Sequence, residues 1–406
     1  VIPPLDLTDL QDAARLLQGV TTRTPVEEST SLSAVAGVPV HLKCENLQRT
    51  GSFKLRGAYV RLSRLSPGEK ARGVVAASAG NHAQGVALAA RELGVSALVY
   101  MPRNAALPKL AATRGYGAQV RQEGATLAET LVAAQREAAA TGRVLIPPFD
   151  HADVVAGQAT LGLEILEQVP DVRTILVPTG GGGLLAGVAA AVHATGADVR
   201  VVGVQAEGAA AFPASLAAGH PVALTRMRTI ADGIAVPAPG ELTLGIVRAH
   251  VDAVLTVSEE QIARAMLLLA ERAKLVVEPS GAAGVATLLD GAGGLEGPVV
   301  VVLSGGNVDP LVLQRILRHG LVAAGRYLRM KVRVPDEPGS LAGLLAVLAT
   351  TGANVVSVQH DRTGTGLGLA EVLIGVELET KGTDHCDEVV ARLHAEGYGV
   401  VFRSVG

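Results

Sequence analysis

Cys44-Glu45-Asn46-Leu47-Gln48-Arg49-Thr50-Gly51-Ser52-Phe53-Lys54-Leu55-Arg56-Gly57-Ala58 is the stretch that organises the chain. Lys54 follows a Gly-Ser-Phe turn and opens an expected helix that continues through Tyr59 and Leu62. An amine held at a helix start beside an apolar ring such as Phe53 can be desolvated, which lowers its pKa toward nucleophilic use. A single lysine in a turn is ordinarily a solvated surface group. Its meaning here comes from three later stretches.

The first is Ala77-Ser78-Ala79-Gly80-Asn81-His82-Ala83-Gln84-Gly85, after the apolar run that starts at Gly73 and before a helical pattern. The second is Pro178-Thr179-Gly180-Gly181-Gly182-Gly183-Leu184, between a strand-like Thr174–Val177 and another helix. Four consecutive glycines let successive backbone N–H groups point at one anion, with a helix dipole behind them. The third is Ser304-Gly305-Gly306-Asn307, directly after the apolar run Pro298–Leu303. One Gly-rich strand-to-helix turn is weak evidence of function. Three behind parallel-type strands, with a lysine-bearing fourth, are strong.

Around these loops strands alternate with helices. Expected strands are Val38–Lys43, Val74–Ala77, Ala97–Met101, Ala118–Arg121, Thr174–Val177, Val199–Gln205, Val254–Val257 and Val299–Leu303. Expected helices include Leu7–Leu17, Thr126–Ala140, Gly157–Gln168 and Ile262–Arg272, the last opened by the capping box Ser258-Glu259-Glu260-Gln261. Alternation of this kind implies an α/β fold with parallel-type sheets in two subdomains. The smaller subdomain, about residues 47–147, is inserted in the larger, and Pro147-Pro148 marks the crossing back. A ligand then belongs between them, at the carboxyl ends of the strands. Near Gly325 the pattern changes. Strands Tyr327–Val334, Asn354–His360, Glu371–Leu378 and Gly399–Phe402, with helices before Thr350 and over Asp384–Ala395, give a βαββαβ tail over 326–406. Thr363-Gly364-Thr365-Gly366 is its expected hairpin loop.

Composition narrows the function. A chain of 406 residues, 49% hydrophobic and 18% charged, has enough apolar material for a full core in two or three domains. A net charge of −3 gives no reason to expect nucleic acid or an anionic membrane as partner. No apolar run approaches the roughly 20 residues of a membrane span. Val1-Ile2-Pro3-Pro4-Leu5-Asp6 lacks the pattern of a secretory signal. Cys44 and Cys386 fall in different expected domains, so no structural disulfide is expected and a cytoplasmic location is.

The four loops, in this order, resemble those of the threonine/serine dehydratases, pyridoxal-phosphate enzymes of fold type II related to tryptophan synthase β. The resemblance covers roughly residues 5–320, read as the catalytic domain 1–320. It implies that Lys54 carries pyridoxal 5'-phosphate covalently and, once released, is the base over the substrate α-carbon. It places Ser78, Ala79, Gly80, Asn81 and His82 at the substrate carboxylate, with Asn81 also at the cofactor's 3′ oxygen. Gly180, Gly181, Gly182, Gly183 and Leu184 match the phosphate cradle, Phe53 packs at the ring or serves as core, and Ser304 matches the partner of the pyridine nitrogen. A neutral hydroxyl there does not hold the nitrogen protonated as a carboxylate would, so a long-lived carbanion is disfavoured. Loss of the α-proton then couples to departure of a β-hydroxyl, giving a 2-oxo acid and ammonia.

His82 is read as a loop anchor. Glu278, in Val276-Val277-Glu278-Pro279-Ser280-Gly281, and Asp232, in Thr229–Gly233, match family positions without an assigned role. Serine racemases of the family carry acidic metal ligands after a Gly-Val-Glu-Pro segment. This chain has Gly203-Val204-Gln205-Ala206 followed by alanines, and no metal site is expected. Val334-Pro335-Asp336-Glu337-Pro338-Gly339-Ser340-Leu341 makes the tail resemble an ACT domain. Such modules commonly bind amino acids at paired domain edges, so the likeness implies either a site for an amino-acid effector, a branched-chain one being the candidate, or a dimerisation domain with an empty site; a homo-oligomer (dimer or tetramer) is expected. Within the family the closest likeness is to the threonine dehydratases, with serine as a poorer substrate. Serine dehydratase or racemase activity, a β-replacement synthase, and a non-catalytic amino-acid sensor are the competing readings.

Overall fold

The computed structural model describes residues 5–291, 293–362, 368 and 370–404. The expected loop Thr363–Gly366 and the extreme N-terminus lie outside them. The chain divides into two compact units, Val1–Leu313 and Gln314–Gly406.

The first unit holds two sheets. Its strands are β1 (Val26–Glu28), β2 (Val40–Lys43), β3 (Val74–Ala77), β4 (Ala97–Met101), β5 (Gln119–Gln122), β6 (Val144–Leu145), β7 (Thr174–Pro178), β8 (Arg200–Ala206), β9 (Ala253–Val257) and β10 (Val299–Val302). The larger sheet runs β1-β2-β10-β7-β8-β9, and the smaller runs β5-β4-β3-β6. All their neighbours are parallel except β1, which turns back along β2. The four valines of β10 are fully buried between β2 and β7. A strand covered on both faces carries no polar alternation, which is why it reads as a continuous apolar run.

The smaller sheet comes entirely from residues between β2 and β7, so the smaller lobe is an insertion in the larger. Two helices join the lobes. Helix Lys54–Ser63 crosses helix Ala152–Gln168 at a glycine contact, where a Cβ on Gly157 would lie 2.5 Å from Gly57 Cα and 2.6 Å from the Arg56 carbonyl. The Ala152–Gln168 helix begins five residues before the expected Gly157. His151 accepts the Asp153 N–H through Nδ1 at 3.1 Å, a cap that a serine-or-aspartate rule does not look for. Similarly, Ser258 and Gln261 form the expected capping box, but the helix they open runs Glu259–Leu268 and ends in a π turn at Leu269–Ala273.

The second unit has the order strand, helix, strand, strand, helix, strand. Strands β11 (Tyr327–Pro335), β12 (Asn354–Asp361), β13 (Glu371–Glu379) and β14 (Gly399–Ser404) form an antiparallel sheet ordered β12-β13-β11-β14. Helices Ser340–Thr350 and Thr383–Ala395 cover one face. Strand β11 alternates strictly between buried and outward residues, as a one-sided sheet requires. Cys44 and Cys386 are free and buried, one in each unit. Among the described residues no helix is long and apolar enough to cross a membrane.

Candidate active site

Lys54 is the first residue of its helix, and the turn before it is fastened to the loop after β10. The Phe53 N–H donates to the Ser304 carbonyl (3.2 Å), the Gly306 N–H donates to the Gly51 carbonyl (2.9 Å), and Ser52 bridges Gly305. The Lys54 ammonium donates to the Pro148 carbonyl at 2.9 Å and lies 4.9 Å from the centre of the Phe53 ring. Burial pulls its pKa down to about 8, against the opposing pull of the Glu278 charge. The amine is therefore neutral in a useful fraction near physiological pH.

The residue after Pro148 leads to the glycine loop. A Cβ on Gly181 would meet the Phe149 ring at 2.4 Å, and one on Gly183 would meet Phe149 Cβ at 2.8 Å. Gly182 has φ +95°, and a side chain there would also strike Phe212 at 2.7 Å. The loop thus requires glycine on both steric and conformational grounds. Thr243 donates through Oγ1 to the Gly181 carbonyl (2.7 Å), and its own N–H is held by Asp150 (3.1 Å). Helix Gly183–Thr195 starts from this loop with no side chain capping it. Its first N–H groups remain available to an anion.

Asn81 begins the helix Asn81–Glu92 behind β3 and reaches across to the larger lobe. Its Nδ2 donates to Glu278 Oε1 at 2.7 Å, and its Oδ1 accepts from Asn307 Nδ2 at 2.8 Å. Burial raises the Glu278 carboxyl to about 7, helped by the nearby Asp232 charge. Ser78 folds its Oγ onto the Gly80 N–H (3.1 Å). His82 is buried, with Nε2 facing the Ile146 carbonyl at 3.0 Å. Burial and the Lys54 charge push its pKa down to about 3, so the ring is neutral and donates through Nε2. Ala79 places a methyl group between Ser78 and Gly80. Ser304 is buried where β10 ends.

Beneath the lysine lies an ion cluster. Arg56 donates to Glu45 and Glu164, and Lys43 donates to Glu164 (2.6 Å), Gln168 and the Thr24 carbonyl. Two cations face two carboxylates, and Arg56 holds Glu45 below the usual carboxylate range despite full burial. Removing any one member leaves a charge uncompensated in the interior.

All four loops singled out in the sequence therefore meet. Sequence reasoning missed three features: the Pro148-Phe149 backbone beside lysine and glycines, the acceptor role of Glu278, and the ion cluster. The cluster had no local signal either, since Glu45 and Arg56 sit among other polar and charged residues such as Asn46, Gln48, Arg49 and Lys54. The Pro148 contact and the Glu278–Asn81 bond are lone long-range contacts, 94 and 197 residues apart, and carry no local pattern. Gln205, at the place of the glutamate in the racemases' Gly-Val-Glu-Pro segment, donates to the Thr179 carbonyl and accepts the Phe212 N–H. Among the described residues no group of three or more His, Cys, Asp or Glu could hold a metal ion.

A buried amine of lowered pKa, a side-chain-free cradle at a helix start, and a ring of polar groups between two parallel sheets suit a phosphorylated aldehyde. The fold and site define an enzyme that works through such a group held on a lysine. The chain belongs to the pyridoxal-phosphate dependent enzymes, whose family model matches residues 17–305. It is 46% identical to an L-threonine ammonia-lyase of Thermotoga maritima over 98% of this chain and 99% of that one. Among solved structures, the T.th. threonine deaminase superposes with TM-score 0.71 at 44% identity, covering 75% of this chain and 99% of that one. Maize serine racemase superposes with TM-score 0.72 at 36% identity, covering 78% and 98%.

Proposed function

We propose that the chain dehydrates L-threonine to 2-oxobutanoate and ammonia, with L-serine as a secondary substrate. The observation that carries this reading is Lys54, whose pKa burial lowers to about 8 and whose amine is fixed against Pro148 where the Ser78–His82, Gly180–Leu184 and Ser304–Asn307 loops converge. Its near full-length likeness to a threonine ammonia-lyase supports the substrate.

Lys54 and the glycine loop would hold pyridoxal 5'-phosphate, and Asn81, Ser304 and Phe53 would face its ring. When bound, the cofactor supplies the electron sink that acidifies the α-carbon. Backbone N–H groups around Ser78–His82 bind the substrate carboxylate. Lys54 Nζ, kept from full protonation by burial, takes the α-proton. The β-hydroxyl leaves as water, the α-proton taken by Lys54 balancing the proton it needs, and a second water hydrolyses the released enamine, as its imine tautomer, to the 2-oxo acid and ammonia. Neutral His82, tied to a backbone carbonyl, orients its loop and carries no proton in this scheme.

The C-terminal unit is read as an ACT-like module that binds a branched-chain amino acid. Its edge strand β12 leaves Val355, Val356 and Val358 exposed, which supports assembly into a homo-oligomer, dimer or tetramer. A cytoplasmic location suits an enzyme of amino-acid metabolism with two free buried thiols. The test is direct: purified protein loaded with pyridoxal phosphate is assayed for 2-oxo acid from L-threonine and L-serine. Formation from neither substrate would refute the reading.

A further inference from the structure

We propose that Glu278 is a positioning residue for this reaction: its carboxyl holds the Asn81 amide in the orientation that leaves an N–H for the cofactor's ring oxygen, and its charge is felt at that ring through this bond. The inference rests on the reading that Asn81 faces that oxygen.

The amide is held from both ends. Its Nδ2 donates to Glu278 Oε1 (2.7 Å), while its Oδ1 accepts from Asn307 Nδ2 (2.8 Å), which also donates to the Thr50 carbonyl (2.7 Å). Flipping Asn81 would set its oxygen against a carboxylate and its NH2 against another NH2, so one orientation is enforced. A primary amide has two N–H bonds. Glu278 uses one, and the second is free for the cofactor.

The carboxyl is built into its place. Glu278 is 4% exposed, and its N–H donates to the Gly305 carbonyl (3.0 Å). A Cβ on Gly305 would lie 2.2 Å from Oε1, so only glycine admits the carboxyl there. Glu278 stands at the N-cap position of helix Pro279–Ala286, yet its side chain does not cap that helix. It is turned instead to Asn81.

The groups acting on it come from four directions. Asp232, on the turn Asp232–Ile234, opposes its ionisation. Lys109, on helix Leu107–Gly115, pairs with Asp232 at 2.6 Å and favours ionisation, as do Lys54 and the Asn81 bond. Burial outweighs them and raises the carboxyl to about 7. Below that pH Glu278 is neutral and pulls weakly on the amide. Above it the anion pulls strongly.

The test is a pH titration of the visible absorbance of the holoenzyme across the neutral range. The parent is expected to show a step that Glu278→Gln abolishes. Asp232→Asn removes a negative charge beside Glu278 and should move the step down by at least about 0.5 unit. Lys109→Gln should move it up by a similar amount. Asp232 has a side chain 62% exposed, so its substitution is expected to leave folding intact and to decide the matter even if Glu278→Gln does not fold. A parent without a step, a step surviving Glu278→Gln, or one unmoved by both charge changes overturns the proposal. Asn81→Ala separates the two readings. If it removes the step while Glu278→Gln keeps it, Asn81 faces the cofactor and Glu278 does not act through it. If Asn81→Ala keeps both the parental spectrum and the step, the reading of Asn81 falls and this proposal falls with it.

Discussion

At Lys54, burial sets the sign of a pH effect. A pKa lowered to about 8 means the amine is protonated below that value and neutral above it. The rate at which apoenzyme captures pyridoxal phosphate should rise about tenfold per pH unit below 8 and flatten above it, where an ordinary lysine would keep rising. Stopped-flow absorbance follows this directly, and Lys54→Ala should show neither capture nor 2-oxo acid formation. A rate still climbing at pH 10 would mean that the amine is solvated. Ala79, in the loop read as binding the substrate carboxylate, makes a separate prediction. We propose that it lies on the substrate face opposite Lys54, where a methyl group cannot return a proton, so L-serine should give pyruvate with negligible D-serine. Ala79→Ser should yield measurable D-serine on a chiral column, with a slower dehydration. D-serine from the parent at rates near those of pyruvate would show that another acid serves that face.

Among the elements, the helix that carries Lys54 is fixed by a glycine crossing rather than by side-chain interlock. In Gly157→Ala the new methyl would press on backbone of Gly57 and Arg56, neither of which can swing aside. A loss of about 1–3 kcal/mol is expected from the denaturation midpoint, with a parallel fall in cofactor occupancy as the lysine is displaced. Unchanged stability would mean that the two helices slide apart freely. The loops of this region were legible in the sequence because glycine clusters after apolar runs mark strand-to-helix turns, and strands such as β10 because buried parallel strands are uniformly apolar. What escaped was set by tertiary contact: the His151 cap, Phe149 against the glycines, and the Glu278–Asn81 bond that joins residues 197 apart. No local spacing encodes such pairs.

For the whole chain, the pattern change near Gly325 lies close to the division between Leu313 and Gln314. Gly325 itself belongs to the second unit, where its carbonyl accepts from Thr380 Oγ1 (2.6 Å) and Cys386. A chain ending after Gly325 should remain an active dehydratase that no longer responds to branched-chain amino acids. Equal effector response with and without the tail would place regulation elsewhere. The strand order of the larger sheet has a further consequence for how the molecule is made. Its centre, β10, is the last strand of that sheet to leave the ribosome, yet it must slip between β2 and β7, one of them some 260 residues older by sequence number. The inserted lobe, whose strands are contiguous from Val74 to Leu145, can fold during synthesis while the larger sheet waits open. Ser304, Gly305 and Asn307 arrive just behind β10, so a nascent chain has no working site until the closing strand is seated. A translation arrest anywhere before it yields an aggregation-prone half-sheet instead of a partly active enzyme.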